Sequence, residues 1–167
     1  LALDGKDLMV SAKTGSGKTA AFFLPTLHLM LSKESPNSGT RTLILVPTRE
    51  LALQTKKAFE MLSGFTQIKC GVIIGGEAFK HQIASIRKNP EIIVATPGRL
   101  VEHIEKGSIN FEDLEMLILD EADRMFDMGF APQVSKILSH MPAKRQILLF
   151  TATMPRDAEE LIERHLS

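Results

Sequence analysis

The stretch Ala12-Lys13-Thr14-Gly15-Ser16-Gly17-Lys18-Thr19 sets two glycines, a lysine and a threonine at the spacing of a loop that wraps phosphates. Gly15 and Gly17 permit backbone angles that turn several N–H groups toward one point, and a helix beginning near Lys18 adds its positive end. Lys18 then reaches the β- and γ-phosphates of a nucleoside triphosphate, and the Thr19 hydroxyl ligates the Mg2+ that bridges them. Ala12 stands where the strict pattern has its first glycine. The competing account is a glycine-rich turn with a solvated lysine, which a strand before the loop and a helix after it disfavour. Triphosphate binding alone does not choose between kinase, transporter, switch and motor.

A second cluster narrows the chemistry. Met116-Leu117-Ile118-Leu119 runs into Asp120-Glu121-Ala122-Asp123, so three carboxylates leave an apolar strand together and favour a dication. Asp120 is placed to hold Mg2+, directly or through water, opposite Thr19, and Glu121 to orient or deprotonate an attacking water. Taken alone, Asp120 or Asp123 would equally cap the next helix. Paired with the loop at Lys18, the carboxylates indicate hydrolysis over phosphoryl transfer to a small acceptor. Thr151-Ala152-Thr153 adds two hydroxyls, which local sequence reads equally well as a cap for the helical stretch beginning at Pro155.

The elements that must position these groups follow from hydrophobic patterning. Six short apolar runs are expected as strands: Leu8 to Ser11, Thr42 to Val46, Lys69 to Ile74, Glu91 to Ala95, Met116 to Asp120 and Gln146 to Phe150. Most lack polar alternation, which suits strands buried on both faces of a parallel sheet. Helices are expected over Lys18 to Leu31 (shortened or kinked at Pro25), Glu50 to Leu62, Ala78 to Lys88, Leu100 to Lys106, Ala131 to His140 and Pro155 to His165. This is an α/β pattern with a mostly parallel central sheet and helices on both faces, and its ligand crevice lies beyond the carboxyl ends of the strands.

The chain has 167 residues, one domain's worth, with 44% hydrophobic and 24% charged residues and a mean hydropathy of +0.03. Twenty Lys+Arg balance 20 Asp+Glu, so no global positive field draws in nucleic acid or an anionic membrane, and any such contact must be local. No apolar run approaches a membrane span and no signal peptide opens the chain, so a soluble, cytoplasmic protein is expected. The single cysteine, Cys70, reads as a small core residue and fits a reducing compartment. Phe22, Phe23, Phe59 and Phe150 read as core, and neither Trp nor Tyr offers a stacking platform for bases. His28, His81, His103, His140 and His165 have no metal-ligand spacing, and no zinc site is expected.

Taken in order, these residues resemble the amino-terminal RecA-like domain of the DEAD-box ATP-dependent RNA helicases. The resemblance rests on Ala12 to Thr19, Pro47-Thr48-Arg49-Glu50-Leu51, Gly75-Gly76, Thr96-Pro97-Gly98-Arg99, Asp120 to Asp123 and Thr151 to Thr153, and it spans nearly the whole chain. It implies a three-layer RecA-like fold. It also implies that ATP and Mg2+ are held by the loop, with Asp120 completing the metal site through water and Glu121 activating the hydrolytic water. Asp123, Thr151 and Thr153 are implied to couple nucleotide state to duplex opening. Pro47, Thr48, Arg49, Gly75, Gly76, Thr96, Pro97, Gly98 and Arg99 are implied to contact the backbone of single-stranded RNA without reading bases. Singly, each of these RNA loops reads more simply: Arg49-Glu50 as a surface ion pair, Thr96-Pro97 as a helix cap, Gly75-Gly76 as a turn.

Thr151 departs from the family's usual Ser, keeping the hydroxyl and adding a methyl. Only eleven residues precede Ala12. The resemblance therefore places the family's adenine-reading glutamine segment and its second RecA-like domain, with that domain's arginines, outside residues 1–167. By itself the stretch is expected to be monomeric and to hydrolyse ATP weakly. Two further readings share these residues: an RNA-clamping or partner-binding module with an idle ATPase, and a DNA-directed motor of the same superfamily.

Overall fold

The computed structural model describes residues 6–11, 26, 28, 39–64, 68–154 and 156–165. Six strands form one sheet: β1 (Leu8–Ser11), β2 (Thr42–Leu45), β3 (Cys70–Ile73), β4 (Ile92–Ala95), β5 (Met116–Leu119) and β6 (Gln146–Thr151). All pairings are parallel, in the order β1-β6-β5-β2-β4-β3. Between and after them run α1 (Arg49–Leu62), α2 (Phe79–Arg87), α3 (Pro97–Glu105), α4 (Ala122–Asp127), α5 (Ala131–Ser139) and α6 (Arg156–His165). The six expected strands are all present, as is every expected helix but the one over Lys18 to Leu31. That helix lies outside the described residues except for Thr26 and His28, both helical, and so do Phe22 and Phe23.

Right-handed crossovers decide which face each helix covers. The chain steps from β2 out to β3 through α1, then turns back through β4, β5 and β6, so the later helices fall on the opposite face. The two cores match this. Ile44, Val46, Ile92, Val94, Met116, Ile118, Leu148 and Phe150 pack with Ala52 and Phe59 of α1. The alternate residues Leu43, Leu45, Ile93, Ala95, Leu117, Leu119, Ile147 and Leu149 pack with Ile86, Leu100, Met125, Val134 and Ile137 from α2 to α5. Phe59, fully buried, contributes about 2 to 3 kcal/mol of apolar transfer. Strands buried on both faces explain the continuous apolar runs of β2, β4, β5 and β6. β3, at an edge of the described sheet, is only half-buried along Cys70, Gly71 and Val72.

Two helices differ from the sequence expectation. α3 begins at Pro97, not Leu100, because a proline at the first helical position supplies the right φ and loses no hydrogen bond. α4 has no range in the sequence reading, where it enters only as a helix that Asp120 or Asp123 would cap, because six residues are too few to display a helical period.

Candidate functional site

The register of the sheet assembles the site. Leu119 pairs with Leu45 and Leu149, Ala95 with Leu45 and Ile73, and Met9 with Leu149, so the strands end in one row. One residue further on, Val46, Ile74, Thr96, Asp120 and Phe150 lie side by side, tied by Val46 N–H to Ala95 O, Thr96 N–H to Ile73 O and Asp120 N–H to Leu45 O at 2.9 to 3.0 Å. Every motif downstream of residue 40 therefore leaves the sheet at the same edge. β1 ends with Ser11 opposite Thr151, and β6 separates β1 from β5. Neighbouring strands lie about 4.8 Å apart, so the end of β1 is roughly 10 Å from the end of β5. Ala12, Lys13, Thr14, Gly15, Ser16, Gly17, Lys18 and Thr19 themselves lie outside the described residues.

At the β5–β6 half of this edge, Asp120 is 2% exposed and Glu121 is 5% exposed. Glu121 has φ 52° and ψ 50°, a left-handed conformation that costs a non-glycine residue about 1 to 2 kcal/mol. It occupies the N-cap position of α4 without a capping bond from its own side chain, and the first-turn N–H of Arg124 donates to Asp123 Oδ1 at 3.0 Å. Arg124 Nη1 lies 3.5 Å from Glu121 Oε2. Asp123 joins the two loops: its Oδ2 accepts from Thr153 N–H at 3.2 Å and from Thr153 Oγ1 at 3.1 Å, and its own N–H donates to Thr151 Oγ1 at 3.3 Å. Thr151 Oγ1 in turn donates to Thr153 O. Burial raises the Asp123 pKa, but hydrogen bonds from the Arg124 N–H and from Thr153 and Thr151 outweigh it and hold the carboxyl below its ordinary value.

The β2–β4–β3 half carries cations and bare backbone. Thr48 caps α1 by accepting from Leu51 N–H at 3.2 Å, and Arg49 is exposed. The Arg49 guanidinium lies over Gly76: a Cβ there would sit 2.4 Å from Arg49 Nη1, and Gly76 has φ +80°. Gly75 and Gly98 have open space where a Cβ would project, so packing does not exclude a side chain and the glycines leave backbone uncovered. Thr96 occupies the N-cap position of α3 but makes no capping bond, and Pro97 is buried. Arg99 is more engaged than its type alone suggests: Nη1 donates to Glu77 O at 2.8 Å and Gln82 Oε1 at 3.1 Å, and Nε lies 3.5 Å from Glu102. The Arg99 side chain keeps 15% of its surface exposed.

Sequence reasoning missed Glu77, Gln82, Phe79 and His103 as neighbours of these loops. The available signal was periodic: Phe79, Gln82 and Ile86 fall at the i, i+3, i+7 positions of α2's buried face, so Gln82 is an amide where an apolar residue belongs. Cys70 packs against the α1-side core, and burial pushes its thiol pKa up to about 12.

Residues 1–161 match the family model described as DEAD/DEAH box helicase. The chain belongs to that family. It is 48% identical over its whole length to DEAD-box ATP-dependent RNA helicase 28 of Arabidopsis thaliana, covering 21% of that protein. It is 43% identical over 99% of its length to ATP-dependent RNA helicase CshA of Listeria monocytogenes, covering 31% of it. Among solved structures, a DEAD box protein from Methanococcus jannaschii superposes with a TM-score of 0.91 at 42% identity, over 99% of this chain and 44% of that one. The RNA-helicase Prp28 from Chaetomium thermophilum, bound to ADP, superposes at 0.89 with 42% identity, over 99% of this chain and 40% of that one. The chain thus spans less than half of each of these DEAD-box relatives, and within them it corresponds to the amino-terminal RecA-like domain. None of the helices among the described residues is long and apolar enough to cross a membrane.

Proposed function

We propose that residues 1–167 form the ATP-binding motor domain of an ATP-dependent RNA helicase that couples hydrolysis to unwinding RNA duplexes or remodelling ribonucleoproteins. The observation that carries this reading is the single strand-end row. It puts the carboxylates, the hydroxyl pair and the cationic loops on one edge, at the end of the sheet where β1 also finishes.

The donor set fits Mg-ATP: two buried carboxylates supply hard oxygens beside the end of β1. When bound, Mg-ATP supplies the phosphoanhydride bond and a dication that neutralises phosphate charge. Lys13, Thr14, Ser16 and the glycines of the loop would offer N–H groups to the phosphates, Lys18 would hold the β- and γ-phosphates, and Thr19 and Asp120 would hold the dication. Glu121, its backbone set by the left-handed turn, orients the attacking water and takes its proton. Asp123 bridges to Thr153 and Thr151, so a shift of the β5 loop is transmitted to the β6 loop.

RNA runs over the other half. Arg49 and the outer edge of Arg99 meet phosphates, and Gly75, Gly76 and Gly98 let the strand approach the backbone, with Pro47, Thr48, Thr96 and Pro97 shaping the loops between. A second RecA-like domain of the same protein completes both the ATP site and the RNA groove. In the full-length protein, ATP turnover should rise on adding single-stranded RNA and rise less with a DNA strand of matched sequence. Turnover indifferent to RNA, or equal stimulation by DNA, would contradict the assignment.

A further inference from the structure

Gln82 is 2% exposed, yet it carries a polar amide in the second turn of α2 with the core beneath it. Its three bonds run to two other segments, the end of β3 and α3. Nε2 donates to Ile74 O at 2.5 Å, immediately before Gly75-Gly76. Oε1 receives Arg99 Nη1 at 3.1 Å, in the first turn of α3, and His103 Nε2 at 3.0 Å, one turn further along. The amide's orientation is dictated by its partners, since a carbonyl only accepts and a guanidinium only donates. His103 must then donate from Nε2. Its Nδ1 has no partner among the described residues, and Phe79 stacks on the ring at 3.9 Å with the planes 6° apart. Arg99 closes the circuit by donating to Glu77 O, in the same turn as Gly76.

We infer that Gln82 is a positioning residue for RNA: a buried pin that locks the Gly75–Gly76 turn and the Thr96–Arg99 helix start into one rigid surface and aims Arg99 outward. This rests on the reading of those loops as RNA contacts. The geometry gives it content beyond packing, because one bond ends on Ile74 O, next to Gly75, and another on Arg99 itself, while the third anchors the amide to His103. A methyl-terminated side chain of equal length would fill the same volume while freeing all three partners. Arg99 would keep Glu77 O and Glu102 but lose its tie to α2, and the Gly75–Gly76 turn would lose its only side-chain tether to α2 among the described residues.

The test uses the full-length protein and a fluorescein-labelled oligouridylate with a non-hydrolysable ATP analogue. Gln82→Met should weaken RNA binding about tenfold. In the RNA-stimulated ATPase it should raise the RNA concentration at half-maximal rate by a similar factor, leaving kcat at saturating RNA and the KM for ATP unchanged. Gln82→Glu provides a second variant that retains the acceptor oxygen shared by Arg99 and His103 but sets an oxygen against Ile74 O. It should show a smaller loss in the same parameter. Equal RNA affinity for wild type and both variants overturns the pin, as does a loss shared equally by ATP and RNA parameters, the mark of general destabilisation. Arg49→Ala separates the two levels of the argument. If it weakens RNA binding while the Gln82 variants do not, the pin alone fails; if wild type and Arg49→Ala bind RNA alike, the underlying RNA reading fails with it.

Discussion

The two halves of the strand-end row are built in opposite ways. At β5 and β6 the side chains are carboxylates and hydroxyls, the links run between two loops, and Asp123 and Thr153 make them from partly or fully exposed positions. At β2, β4 and β3 the side chains are cations, and the loops are tied to the core by a buried glutamine and a buried histidine. A few surface hydrogen bonds, each worth about 1 kcal/mol, form and break easily. Buried polar bonds do not, because each broken partner is stranded out of water. One half is suited to change with the nucleotide, and the other to present a fixed surface.

The contrast is broken most severely at Glu121. Glu121→Gln keeps the shape and removes the base, so turnover in the full-length protein should fall about 10²- to 10⁴-fold while RNA binding with ATP persists. Asp123→Asn comes next, since both carboxylate oxygens accept, one from Arg124 N–H and the other from Thr153, and either orientation of an amide would set its NH2 against a donor. RNA stimulation of turnover should drop roughly tenfold in a steady-state assay, with the KM for ATP little changed. Gly76→Ala affects the other half. A φ of +80° costs alanine about 1 kcal/mol, and Arg49 must move aside, so calorimetry should show a lower Tm and titration a severalfold weaker RNA affinity.

Histidine 103 sharpens the picture of a rigid half. Burial first, then the charges of Arg99 and Lys106, depress its pKa below the ordinary 6.5 against a weaker opposing pull from Glu102. The unfolded chain therefore takes up a proton that the folded chain refuses, and stability present above about pH 6.5 is lost as pH falls toward the depressed value. In chemical denaturation, the stability gap between wild type and His103→Leu should be constant above pH 6.5 and narrow below it. The smallest effect belongs to Cys70, on the half-buried edge strand. With its pKa near 12 the thiol is almost wholly protonated at neutral pH, and alkylation by iodoacetamide should be far slower than for a cysteine in the denatured chain.

The sheet could be read from sequence because strands buried on both faces are written as unbroken apolar runs. Its register could not, since that depends on hydrogen bonds between runs up to 140 residues apart, such as those tying Lys6 and Asp7 to Gln146 and Ile147. Asp120, Glu121 and Asp123 were legible as a cluster, but the left-handed Glu121 and the Asp123–Thr153 bridge arise only when β5 and β6 lie side by side. Thr96-Pro97 looked like a helix cap and does start α3, although the threonine side chain makes no capping bond. Gln82 and His103 stayed hidden because their partners come from three separate segments, and nothing in spacing along one helix announces that.

The central claim is that hydrolysis and RNA grip are divided between the two halves. It is tested most directly by measuring RNA affinity and ATP turnover at saturating RNA for Glu121→Gln and Arg49→Ala in the full-length protein. The account predicts a crossed result: Glu121→Gln binds RNA normally and does not turn over, whereas Arg49→Ala turns over normally once saturated and binds RNA severalfold more weakly. Loss of the same quantity in both variants would contradict it.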